Sequence, residues 1–193
     1  MHGSRYRRDQ RLLEDLGRAD RFRSVEVWLC INVDPSHAQA DFDKVRVEYG
    51  NGCDLSRFAD GQFNVGFSNS VIEHVGMWDN MVAWDNMVAF VHETRRICKS
   101  YLIQTPYAWF PIEPHARTPF MHWLPESIAY RILLLRRCGF WGKATDVGDA
   151  VEKIQSAKLL DIRQFSYLYP DTEVLREHFL GLIKSLIAVR RAS

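Results

Sequence analysis

An alternation of short apolar runs with stretches of helical spacing constrains this chain more than any other feature of its sequence. VEVWLCINVDP (Val25–Pro35) is a continuous apolar run that closes on Asp-Pro, the pattern of a buried strand with an acidic residue at its C-terminal end. KVRVEY (Lys44–Tyr49) alternates with period two and stops at Gly50-Asn51-Gly52, a turn signal. FNVGFSNSVIEHV (Phe63–Val75) begins as a strand and changes character at Ser68. Asp85–Lys99 has amphipathic helical spacing, and SYLIQTP (Ser100–Pro106) is a strand that ends at proline. Strands alternating with helices predict an α/β domain with a mostly parallel sheet. A polar helix over Arg5–Asp20 within a basic 1–24 segment precedes one domain spanning 25–193.

The second half differs. Tyr107–Pro125 packs prolines, two histidines and several aromatics together, so it cannot be one regular element. It is too aromatic for disorder and reads as a functional loop after a strand. Glu126–Arg137 is predicted helical with Ile128, Ile132 and Leu135 on one stripe, and Asp149–Leu159 forms a short helix. The tail Glu173–Arg191 reads as an antiparallel strand pair meeting near Gly181. WDNMVA occurs twice, at Trp78–Ala83 and Trp84–Ala89. Six residues turn a helix by about 240°, so the copies cannot share a face. The second copy is expected in the packed helix, on a stripe of Trp84, Met87, Val88, Val91 and Cys98; the first is an added turn from a local duplication.

Composition narrows the class of function. The 25 Lys and Arg balance 24 Asp and Glu, a net charge of +1 that makes no general electrostatic case for nucleic acid or an anionic membrane. No apolar run reaches the roughly 18–20 residues of a membrane span. The N-terminus has no apolar core of a secretory signal. The 4 cysteines, Cys30, Cys53, Cys98 and Cys138, form no CxxC pair, so reduced thiols and a cytoplasmic location are expected, with no metal site.

Ligands of parallel α/β sheets bind beyond the C-terminal strand ends, and three such ends are polar here. Asp34 can accept from both hydroxyls of a ribose or serve as a turn residue before Pro35. Asp54 can accept from an adenine amino group or cap a short turn. Ser68, Asn69 and Ser70 end the third strand, with Glu73 and His74 one turn on. In the aromatic loop, His115 with Glu113 can act as general base or anchor the loop through hydrogen bonds, while His122 reads as an anchor. Trp109, Phe110, Phe120 and Trp123 can line an apolar pocket or simply pack. Arg131, Arg136 and Arg137 suit an anionic or lipid-linked acceptor, or a solvated face.

Taken in order, NVDP, then VRVEYGNGCDLSRFADGQFNVGFSNSVIEHVG, then FVHETRRICKSYLIQTPYAWFPIEPH resembles the core of the class I S-adenosylmethionine-dependent methyltransferases of the type 11 and type 23 kind. The resemblance runs from about Val25 to Arg191. It implies a Rossmann-like fold with an antiparallel C-terminal strand pair, S-adenosylmethionine as cofactor and a small-molecule acceptor. It also implies cofactor contacts from Asp34 to the ribose, from Cys53, Asp54 and Leu55 around the adenine, and from Ser68, Asn69, Ser70 and His74 near the methyl donor. His115 and Glu113 would be the catalytic residues. The family's aspartate after the strand phenylalanine is Asn64 here. The larger departure lies at the front: no GxGxG precedes Asp34, where the early glycines are Gly3 and Gly17. The chain therefore reads as an N-terminally truncated version of the fold, without the first strand and the glycine loop that lets backbone N–H groups approach the cofactor. Three function classes follow: a methyltransferase, an inactive remnant serving as scaffold or partner subunit, and a dehydrogenase-like nucleotide enzyme, which would also need the glycine turn. A missing central strand would leave backbone groups unpaired and invite a homodimer.

Overall fold

The computed structural model describes residues 28–32, 41–42, 45–77 and 83–192. The helix predicted over Arg5–Asp20, the ribose candidate Asp34 and nearly all of the first WDNMVA copy lie outside them. The chain divides into two compact units, Met1–Leu55 and Ser56–Ser193, each described by itself.

In the first unit, β1 (Trp28–Asn32), β2 (Asp41–Phe42) and β3 (Val45–Tyr49) form a sheet in the order β1-β3-β2. β1 and β3 run parallel from Trp28↔Val45 to Asn32↔Tyr49, while the two-residue β2, unread in the sequence, lies antiparallel to β3. The turn after β3 is organised by Asn51. Its side-chain oxygen accepts from Cys53 N–H at 2.9 Å and its backbone oxygen from Asp54 N–H at 3.0 Å. Both bonds are local, as asparagine in a turn provides.

The second unit carries a four-stranded sheet in the order β4-β5-β7-β6, built from β4 (Phe63–Asn69), β5 (Cys98–Pro106), β6 (Glu173–Phe179) and β7 (Leu182–Arg190). β4 and β5 are parallel, joined through helix α1 (Ala83–Ile97); β7 returns antiparallel to both β5 and β6. The predicted α/β class holds, but the sheets are mixed: among the described pairings two are parallel and three antiparallel. A hairpin reverses the chain at Leu180-Gly181, with φ of 51° and 80°, so the last two strands pair antiparallel as predicted.

Helix α1 buries Met87, Phe90, Val91, Thr94 and Ile97. Val88, placed on the buried stripe from the sequence, is 42 % exposed. It sits one residue, about 100°, off the Met87–Val91 line, and Phe90 and Thr94 complete that line instead. Cys98 is buried, but as the first residue of β5. Helix α2 (Glu126–Leu135) departs from prediction in the same way. Ile128 and Leu135 are 47 % and 79 % exposed, and the buried residues are Ala129 and Leu133. These pack with Ala116, Met121, Cys138, Ala144 and Ala150 of α3 (Val147–Gln155). Small side chains at the contact let the two helices approach closely, so the bulkier isoleucine and leucine are left outside.

Two caps set helix starts. The Asp146 side chain accepts from Asp149 N–H at 2.9 Å at the start of α3. Asp161 and Gln164 form a reciprocal capping box at α4 (Ile162–Leu168), a helix the sequence reading passed over although D-x-x-Q marks it. Asp171 ties the far end of the sheet together, accepting from Tyr101 Oη at 3.0 Å and pairing with Arg95 and Arg190, both at 3.1 Å. No helix among the described residues is long and apolar enough to cross a membrane.

Candidate active site

The candidate site of the second unit lies at the C-terminal ends of the parallel strands β4 and β5. Where β4 ends, Ser70 adopts a left-handed backbone (φ 54°) and turns the chain into a 3₁₀ helix, Ile72–Met77. Its N–H donates to Gln104 O and its hydroxyl to Gln104 Oε1, both at 3.0 Å, which locks the two strand ends side by side. The hydroxyl of Ser68 is buried on this end of β4 with no hydrogen-bond partner. Asn69 is exposed.

The 3₁₀ helix presents Glu73 and His74. Glu73 is 1 % exposed. One carboxyl oxygen accepts from Thr105 Oγ1 at 3.0 Å, and the other, Oε1, is buried without a partner. Burial pushes this carboxyl above the usual range; a backbone N–H, the Thr105 hydroxyl, the charge of His115 and the nearby Ser70 hydroxyl pull partly against that shift. A raised carboxyl pKa means the folded state holds its proton more tightly than the unfolded chain, so this contribution to stability is lost as pH rises through the folded value. Glu73→Gln should therefore gain on the wild type as pH climbs above 4.5, the ordinary value of the carboxyl. Thermal melts of both proteins across that range check this; parallel curves would refute it.

After β5, the loop Tyr107–Pro125 is stitched down at several points. Tyr107 N–H donates to Lys184 O and Ala108 N–H to Leu160 O, each at 3.0 Å. His122 Nε2 and Trp123 Nε1 both donate to Ala108 O at 2.9 Å, the anchoring role expected for His122. Burial lowers the His122 pKa, consistent with a neutral ring.

Glu113 and His115 are 3 % and 8 % exposed. They join His74 in a continuous chain: Ser156 O to His74 Nδ1 at 2.7 Å, His74 Nε2 to His115 Nε2 at 3.0 Å, and His115 Nδ1 to Glu113 Oε1 at 2.7 Å. The second Glu113 oxygen accepts from Ala116 N–H. The His115 ring lies within 10° of parallel to Trp141, 6.2 Å away. Hydrogen-bonding capacity fixes the proton count of this chain. Ser156 O only accepts, so His74 Nδ1 carries hydrogen; both Glu113 oxygens accept, so His115 Nδ1 does too. Two neutral imidazoles would then meet lone pair to lone pair at 3.0 Å. One proton lying between the two Nε2 atoms satisfies the contact. Every ring nitrogen is thereby engaged within the protein, and none is left to face a substrate.

The turn that closes over this cluster requires glycine. Gly139 has φ +52°, and a Cβ there would meet Ala116 O at 2.3 Å and His115 O at 2.7 Å. Phe140 N–H donates to His115 O at 2.8 Å. A cavity of about 30 Å³ lies beside Glu113 and His122, walled by Met121, Trp141 and Ile154 among others. It has room for about one water. Among the described residues, no group of three or more His, Cys, Asp or Glu is arranged to hold a metal ion.

Of the residues predicted from sequence, Ser70, His74, Glu113 and His115 are brought together, with Ser68 on the same strand end. Cys53, Asp54 and Leu55 belong to the first unit, where Leu55 is buried. The reading missed Thr105, Trp141, Gly139 and the Ser156 carbonyl as parts of the cluster. No spacing signal could have found them, because they come from four separate segments.

No family model matches the chain, and no curated protein matches it. Among solved structures it is similar to LepI in complex with SAM, at 7% identity and a TM-score of 0.48, covering 93% of this chain and 38% of that one. A LepI variant in complex with SAH and a substrate analogue gives 7% identity and a TM-score of 0.49, over 94% and 39%. A possible exported protein from Bordetella parapertussis gives 12% identity and a TM-score of 0.47, over 86% and 54%. The chain spans about two fifths of the length of the LepI chains it matches. These are distant likenesses in the course of the chain.

Proposed function

We propose that this chain is a methyltransferase-type α/β domain that binds S-adenosylmethionine at the C-terminal strand ends and transfers its methyl group to a small-molecule acceptor. The observation that carries the reading is a pair of buried polar atoms without partners, Ser68 Oγ and Glu73 Oε1, on adjacent segments at the end of β4. Buried polar atoms are nearly always satisfied, so two orphans at the usual ligand end of a parallel strand pair suit a bound polar ligand. Separately, and from the sequence resemblance alone, Asp34 and Asp54 are the proposed ribose and adenine contacts. When bound, the cofactor supplies an activated methyl group. The protein's task is then to align the acceptor, since direct displacement needs geometry more than proton transfer. In this reading His115 and Glu113 act as positioning residues: with His74 they tie the aromatic loop to the 3₁₀ helix that follows β4.

A second reading, a non-catalytic domain acting as scaffold or partner subunit, is favoured by the engagement of every ring nitrogen of His74 and His115 within the protein, which leaves neither ring to face a substrate. Calorimetric titration with S-adenosylmethionine and S-adenosylhomocysteine separates the two. The enzyme reading expects micromolar binding, weakened about tenfold or more by Asp34→Ala and by Ser68→Ala, since each removes a hydrogen-bond partner of a buried ligand. A folded protein that gives no heat with either compound is the result expected of the scaffold.

A further inference from the structure

Two large apolar side chains sit where the backbone least favours them and where water is most exposed. Leu180 (φ 51°) and Phe120 (φ 61°) are both left-handed, and they are 88 % and 50 % exposed. For a bulky residue this conformation is a genuine outlier, and asparagine or glycine would hold either turn at lower cost. The hairpin tip is apolar throughout, Phe179-Leu180-Gly181-Leu182, where such turns ordinarily carry Asn-Gly or Asp-Gly. At Leu180, 88 % exposed, no burial within the fold offsets that cost.

The two outliers belong to one patch. Phe110 meets Phe179 edge to face at 6.4 Å, joining the aromatic loop to the hairpin tip. On the loop, Trp123 lies 5.1 Å from Phe120 and 5.8 Å from Trp109, and Trp109 is 61 % exposed. Charge in this part of the chain is one-sided. Between Tyr107 and Phe140 the exposed charged residues are Arg117, Arg131, Arg136 and Arg137 against Glu126, while on the hairpin strands Arg176 and Lys184 stand against Glu173 and Glu177. Arg117 is held over the exposed ring of Phe140 at 4.1 Å, a cation beside an apolar face.

We propose that the Leu180 hairpin tip and the Phe120 loop dock this protein on the surface of an anionic phospholipid bilayer, with the tip in the acyl boundary and the arginines at the headgroups. Tryptophan, phenylalanine and leucine beside arginine is the composition of interfacial anchors. Each nearby cation adds to the attraction of an anionic leaflet, although the chain as a whole is nearly neutral. A second copy is the less suited occupant, since the tip projects and needs an apolar hollow to enter. The hollow of about 400 Å³ lined by Lys99, Arg190 and Arg191 is cationic, and the 30 Å³ cavity is too small for a leucine.

The test is flotation of the whole chain with vesicles of phosphatidylcholine alone and of equal parts phosphatidylcholine and phosphatidylserine. Leu180→Asn is the informative variant, because asparagine suits the left-handed turn and should keep or raise the melting temperature. Wild type should float with the mixed vesicles and only weakly with the neutral ones, and L180N should lose about tenfold in partitioning, the share of one buried leucine. Replacing Arg136 and Arg137 with serine should remove the preference for phosphatidylserine. The proposal is overturned if wild type stays with neither vesicle, if folded L180N partitions equally well, or if light scattering shows a dimer that L180N abolishes without any vesicle binding.

Discussion

Glu113→Ala is expected to lower the free energy of unfolding by about 3–5 kcal/mol, the cost of removing one partner from a buried charged pair. Both Glu113 oxygens are in use, one on His115 Nδ1 and the other on Ala116 N–H, and the carboxylate is 3 % exposed. Without it, two donors lose their acceptor. The loss should spread to the loop and to the Ile72–Met77 turn, since the chain of bonds ends on Ser156 O. Urea unfolding followed by tryptophan fluorescence measures it directly, with Trp141 beside His115 as a local reporter. Glu113→Gln keeps one acceptor and should cost less than half as much. A loss below about 1 kcal/mol for the alanine variant would mean that the cluster is solvated and the proton count above is wrong.

Gly139→Ala should be nearly as damaging, about 3 kcal/mol, from a left-handed φ combined with a steric clash. The atoms a methyl group would strike are the backbone oxygens of Ala116 and His115, at 2.3 and 2.7 Å, and neither can swing aside as a side chain could. The hydrogen bond from Phe140 N–H to His115 O would open as well. Gly142→Ala is the control: a Cβ there meets nothing within 4 Å, so it should stay within about 0.5 kcal/mol of wild type. Equal melting temperatures for the two variants would rule out the close approach at Gly139.

Much of the second unit was legible as pattern. β4, α1, β5, α2, α3 and the closing hairpin all fall where apolar periodicity, prolines and Gly181 placed them. Glu113 and His115 were singled out in the sequence, but their hydrogen bond to each other is a finding of the structure. What misled was size. Ile128, Leu135 and Val88 were assigned inward for being large and apolar, yet the helix contacts are made by Ala129, Ala150, Met87 and Phe90. A helical stripe shows that a face is buried, but which neighbour comes close enough to need small residues depends on the other helix.

Sequence alone determined the α/β class, the order of the elements other than β2 and α4, and the polar strand ends, because each follows from interactions within a few residues: period, turn chemistry and proline. Tertiary structure alone decided that His74 meets His115 across 41 positions, that Ser156 supplies a carbonyl, and that Gly139 must be glycine. Those depend on how segments distant in sequence are brought together, and a proton shared between two rings exists only once both rings are in place.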